Sequence, residues 1–114
     1  MIESDVLEKL KQEGILGSAV ISRDGIVLNS DLPSSTHEET FAIMCATIIG
    51  AANTANQELD RSNPEKVIVD SKEGRILIVS AGRNKILSVL IDSTHDLKTI
   101  FQRAKTIASE IEEL

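Results

Sequence analysis

Val6, Leu7 and Leu10 recur at helical spacing among charged residues, and Gly14 stands where a helix would be closed off. Residues 2–13 therefore read as a short amphipathic first helix. Two apolar runs, residues 18–22 and 26–28, then flank Arg23-Asp24-Gly25. Glycine accepts the positive φ that a tight turn demands, so this segment predicts a β-hairpin. Pro33-Ser34-Ser35-Thr36 breaks the pattern, and Ser35 with Glu38, or Thr36 with Glu39, has the spacing of a capping box. A long middle helix is expected from there to Asp60 or Arg61, with Phe41, Met44, Cys45, Ile48, Ala52, Ala55 and Leu59 on its core stripe. Asn63-Pro64 ends it, because the residue before a proline is pushed out of the α region.

Three further apolar runs follow, Val67-Ile68-Val69, residues 76–79 and residues 86–91, separated by turns at Lys72-Glu73-Gly74 and Gly82-Arg83-Asn84. They predict a three-stranded meander. Ser93 with Asp96 offers another capping box, and Leu97, Ile100, Phe101, Ala104, Ile107, Ala108 and Ile111 trace one stripe of a last helix. The order is αββαβββα. Most strands are apolar without strict alternation, so both sheet faces need cover. The simplest layered arrangement is an α/β (α+β) fold over residues 1–114: a single domain whose five-stranded antiparallel sheet is covered by helices on both faces. The middle helix takes one face and the terminal helices the other.

The middle helix departs from ordinary amphipathic patterning. Beside its core stripe runs a second one, Ile43, Ala46, Thr47, Ile49, Gly50, Asn53 and Thr54, small or uncharged throughout, where a solvated face would carry Lys and Glu. Glycine in a helix interior costs about 1 kcal/mol relative to alanine. Small residues here let another backbone approach closely, so the second stripe predicts a helix–helix or protein–protein contact. A kink at Gly50, or cover from the chain's own loops, is the competing structural explanation.

Composition narrows the function. The chain has two Phe, no Tyr, no Trp and a formal charge of −6. Without aromatic stacking platforms or a basic patch, nucleic acid is not an expected partner. Cys45 is the sole cysteine, which excludes an internal disulfide, and the acidic start lacks the basic and apolar parts of a signal peptide. A cytoplasmic location is expected. Polar residues interrupt the charge-free middle segment, so no membrane span is expected either.

Enzymatic signatures are missing. The phosphate-binding glycine motifs and the Gly-x-Ser-x-Gly elbow do not occur. His37 and His95 lack recognisable metal-ligand spacing, so capping and solvation account for both. Cys45 lies on the apolar stripe, where a free thiol behaves as a small hydrophobe. The acidic tail at residues 110–114 reads as a solvated helix end. No catalytic residue, metal or cofactor is assigned, and the chain is expected not to be an enzyme.

Residues 17–28 with their Asp-Gly turn, the alanine-rich stretch 41–55 and the run Glu73-Gly74-Arg75-Ile76-Leu77-Ile78-Val79 together resemble the roadblock/dynein light-chain family. The likeness spans essentially the whole chain. The resemblance implies a homodimer or heterodimer in which the third strand, around residues 65–71 and including Val67 and Val69, pairs with its copy while the middle helices lie side by side. It further implies that the exposed face of the paired helices receives a small Ras-like GTPase or another regulatory protein, or scaffolds a signalling or motor complex. Ile43, Ala46, Thr47, Gly50, Asn53 and Thr54 are the contact candidates, and spacing does not divide them between twin and GTPase. Some family members speed GTP hydrolysis; Arg23, Arg61, Arg75, Arg83 and Arg103 are available, but surface solvation is the expected role of each. The alternative from another class is a small-ligand sensory domain, since sheets covered by helices also enclose metabolites.

Overall fold

The computed structural model describes residues 3–114, with side chains from Asp5 onward. The elements are α1 (Glu3–Glu8), β1 (Ile15–Ser22), β2 (Val27–Asp31), α2 (Glu38–Glu58), β3 (Val67–Ser71), β4 (Gly74–Ser80), β5 (Lys85–Asp92) and α3 (Leu97–Glu112). The strands form one sheet in the order β2-β1-β5-β4-β3, and every pair is antiparallel. The αββαβββα order and the sheet covered on both faces are as expected.

Period-two alternation sorts the strand residues into two cores. Val20, Leu77, Val79, Leu87, Val89 and Ile91 pack with Val6, Leu7 and Leu10 near α1 and with the stripe of α3 from Ile100 to Ile111. On the opposite face Ala19, Ile21, Ile78 and Ile86 meet Ala42, Cys45 and Ile49 of α2. The terminal helices thus share one layer and α2 forms the other.

Local details depart from the sequence reading where distant groups intervene. The first helix closes at Glu8 and continues only as turns through Lys11, and Ile2 lies outside the described residues. Neither proposed capping box forms at α2. His37 is its N-cap, without a side-chain hydrogen bond, and the Glu38 carboxylate accepts from Ser30 Oγ on β2 at 2.9 Å instead of from the backbone at Ser35. At α3 the cap is Asp96 rather than Ser93. Its carboxylate accepts from Lys98 N at 3.1 Å and from Thr99 Oγ1 at 2.9 Å.

The far end of α2 is closed before Pro64 is reached. Asp60 turns to φ 56°, Arg61 N donates to Asn56 O at 2.9 Å, and Asn56 Nδ2 donates to Ser62 O at 2.9 Å. The β1–β2 turn is built as predicted: Gly25 has φ 89°, and its N–H reaches Ser22 O at 2.9 Å. A Cβ on Gly25 would lie 3.0 Å from Ile43 Cα, so the glycine also lets α2 settle close to the hairpin.

Candidate protein-interaction face

α3 fully buries six residues, whereas the longer α2 fully buries only Ala42, Cys45 and Ile49. Much of α2 is therefore left outside the subunit's own core. Its buried line is rotated from the expected stripe toward Ala42 and Ile49. Phe41 and Ile48 are half-buried flanks, while Met44 and Leu59, expected inside, are 48% and 59% exposed. The reason is the closeness of the sheet: Ala19, Ser88 and Gly25 leave room for Ala42 and the Cys45 thiol, and larger side chains are displaced sideways.

The predicted contact residues separate accordingly. Ile43, Thr47, Gly50 and Thr54 lie on the outward face, with Ile43 49% exposed. Nothing lies within 4 Å of a Cβ built on Gly50, so no covering loop explains this glycine. Ala46 and Asn53 stand on the flank turned toward the subunit, and Ala46 packs against the α2-side core. Ile49, grouped with them by spacing, is buried. Val67 packs under α2 and Val69 is exposed, both on β3, which pairs with β4 alone and forms one edge of the sheet.

The polarity of the outward face is lower than its sequence suggests. Thr47 Oγ1 donates to Ile43 O at 2.8 Å, and Thr54 Oγ1 donates to Gly50 O at 3.2 Å. Each hydroxyl is engaged with the turn before it. From Thr40 to Gln57 there is no charged side chain. Sequence reasoning missed Met44 and Ala51, which are exposed on this face, and Ile26, 62% exposed on the adjoining hairpin. Gly25, Ile26, Val27, Glu39 and Ile43 border a depression of about 320 Å³ there. An amphipathicity count cannot find such a face, because α2 offers little polar contrast.

The chemically reactive side chains are otherwise engaged. Cys45 Sγ lies 3.6 Å from Ser88 Oγ in the core, and burial pushes its thiol pKa up, which keeps it protonated. His95 Nδ1 is 2.7 Å from Asp92 Oδ1, and the same carboxylate oxygen accepts from Thr94 N and His95 N, an arrangement that fixes the turn before α3. Among the described residues no group of His, Cys, Asp and Glu is arranged to hold a metal ion, and no helix is long and apolar enough to cross a membrane. Of the arginines, Arg75 pairs with Asp70 at 3.5 Å, Arg103 donates to Lys9 O, and Arg23 donates to Ser80 Oγ and Gly82 O. Arg61 and Arg83 are exposed.

Comparison with known proteins agrees with this architecture. The Roadblock/LC7 domain family model matches residues 1–91, which takes in β1 to β4 and all of β5 but Asp92, and not α3. Uncharacterized protein MJ0310 of Methanocaldococcus jannaschii is 36% identical over 111 residues, covering 97% of this chain and 96% of that protein. Among solved structures, the gliding protein MglB of Thermus thermophilus superposes with a TM-score of 0.87 at 19% identity, over 97% of this chain and 86% of that one. A Roadblock/LC7 domain from Streptomyces avermitilis gives 0.85 at 14% identity, over 96% and 91%. At these identities the structural matches speak to the fold.

Proposed function

Taking as premise that the chain belongs to the Roadblock/LC7 domain family, we propose that it is a homodimeric protein-binding module that receives a small Ras-like GTPase and performs no covalent chemistry of its own. The observation that carries this reading is the outward face of α2. Ile43, Met44, Thr47, Gly50, Ala51 and Thr54 are exposed and uncharged, and no segment of the subunit lies over Gly50. An exposed apolar surface of this kind is characteristic of an association site.

β3 supplies the second element of the assembly. An edge strand carries unpaired backbone N–H and C=O groups, and a twin strand laid beside it extends the ladder. Val67 and Val69 belong to that strand, next to α2. In this arrangement two copies share one continuous sheet, their α2 helices form a common platform, and the GTPase docks on it. Ile43, Met44 and Thr47 are the contacts assigned to the platform. A reducing cytoplasm suits a chain whose one thiol is buried and unpaired.

Analytical ultracentrifugation over a concentration series, followed by titration with a purified Ras-like GTPase loaded with GDP or with a non-hydrolysable GTP analogue, tests the reading. A reversible dimer that prefers one nucleotide state is the expected result. A protein that stays monomeric throughout and binds neither form of the GTPase would overturn it.

A further inference from the structure

The β1–β2 turn, α2 at Asn53, the α2–β3 connection, the β4–β5 turn and the end of α3 meet around a cavity of about 630 Å³. Arg23, Asn53, Glu65, Ser80, Arg83 and Glu112 are among its lining residues. Of α2 only Asn53, on the flank turned toward the subunit, reaches the cavity. The cavity therefore lies off the outward face of α2, while Asn53 and Glu65 place its rim beside the region assigned to the twin subunit.

Arg23 is the anchor of this region. Its Nη2 donates to Ser80 Oγ at 2.7 Å and to Gly82 O at 3.0 Å, which fixes the guanidinium against neutral acceptors. Among the described residues, Nε and Nη1 find no hydrogen-bond acceptor and no carboxylate lies within ion-pair distance. Burial lowers the pKa of Arg23, so the charge is held where solvent supports it poorly. A half-buried cation without a counter-charge is costly, and an oxyanion delivered from outside relieves that cost.

The rest of the lining sets further requirements on the ligand. Arg83 adds a second, exposed cation. Glu65 and Glu112 bring two carboxylates to the same cavity, and Glu65 has only a loose contact of 3.9 Å with Lys105. Two cations and two anions together disfavour a polyphosphate or nucleic acid and suit a molecule bearing both signs. Asn53 Oδ1 is buried without a hydrogen-bond partner, an acceptor that lacks a donor.

We propose that this cavity binds a small zwitterion of the amino-acid class, its carboxylate held by Arg23 and Arg83 and its ammonium group turned toward Glu65, Glu112 and the Asn53 amide. A volume of about 630 Å³ accommodates a free amino acid with its hydration water. The five lining segments are brought together by the fold of one subunit, so binding does not require the dimer.

The test is a nitrogen-15 correlation NMR titration of the intact protein with each common L-amino acid at millimolar concentration, with acetate and methylammonium as single-charge controls. At least one amino acid should shift the resonances of Arg23, Asn53 and residues 80–83 saturably, with neither control reproducing the effect. Arg23→Lys and Arg83→Gln, each checked for a spectrum that otherwise superimposes on the native one, should each weaken binding about tenfold or more, the loss expected for one charged hydrogen bond. Silence across the whole panel would overturn the proposal, as would acetate acting as well as the amino acid, or undiminished binding by the folded variants. If Arg23→Lys does not fold, Arg83→Gln decides the matter.

Discussion

Gly50 allows the subunit and the assembly to be tested in opposite directions by one substitution. It lies inside α2, its φ is not positive, and a Cβ there meets nothing within 4 Å. Gly50→Ala therefore removes the helix penalty of glycine without creating a clash, and should stabilise the isolated subunit by about 1 kcal/mol. For a domain of this size that corresponds to about 4 °C in Tm. Arginine has nearly the helix propensity of alanine, so Gly50→Arg should stabilise the monomer by a similar amount.

Association should respond in the opposite sense. A long charged side chain at the centre of an uncharged face removes the close approach that glycine permits, and Gly50→Arg should abolish both self-association and GTPase binding. Urea denaturation at low protein concentration measures the first effect, and sedimentation over a concentration series measures the second. The two need separate conditions because dimerisation itself raises apparent stability by mass action. Wild-type association by Gly50→Arg would show that the outward face of α2 is not the contact. A monomer destabilised by Gly50→Ala would show that the position is not open.

Other substitutions probe the core and the turns. Ile49→Ala should cost between about 2 and 5 kcal/mol by urea denaturation, as expected for a large side chain removed from a closed core. Ile49→Asp should leave no folded protein, whereas Ile48→Asp, on the half-buried flank, should remain partly folded by circular dichroism; the reverse order would mean that the buried line of α2 has been misplaced. Native Cys45 should react with a thiol-specific disulfide reagent only at the rate of unfolding, and a fast native reaction would contradict its burial and raised pKa. The hydrogen bond from His95 holds the Asp92 carboxyl below its ordinary range. Its contribution to stability is therefore complete above the unfolded-state value of about 3.9 and is lost as pH falls through the lower folded-state value. Asp92→Asn should flatten that acid limb in thermal melts, and an unchanged limb would remove Asp92 as its source.

Elements with strong local contrast were legible in the sequence. Asp24-Gly25 specified its hairpin because few residues accept the backbone angle found there, and α3 revealed its stripe because charged and polar residues fall between Ile100, Ala104, Ile107 and Ile111 along the chain. The second face of α2 was legible as a departure from that contrast, and Gly50 as its clearest sign. Which side of α2 meets the sheet was not, since Phe41, Met44 and Ile48 outweigh Ala42 on any hydrophobicity scale while the close-lying strands favour the smaller group. The missing capping boxes have a related cause. Ser30 claims Glu38 from another element, and local spacing carries no trace of it. The cavity around Arg23 was illegible for the same reason, being assembled from five separated segments.

The position of β5 governs how this chain can mature. Although it is synthesised last among the strands, it lies in the middle of the sheet, between β1 and β4. Until it emerges from the ribosome, the nascent polypeptide holds two disconnected hairpins with α2 strung between them. Neither hairpin then has a neighbour to complete its ladder. A transcript cut short before Lys85 would thus yield not a smaller version of the protein but a sticky, unfinished product for the cell's quality control to remove.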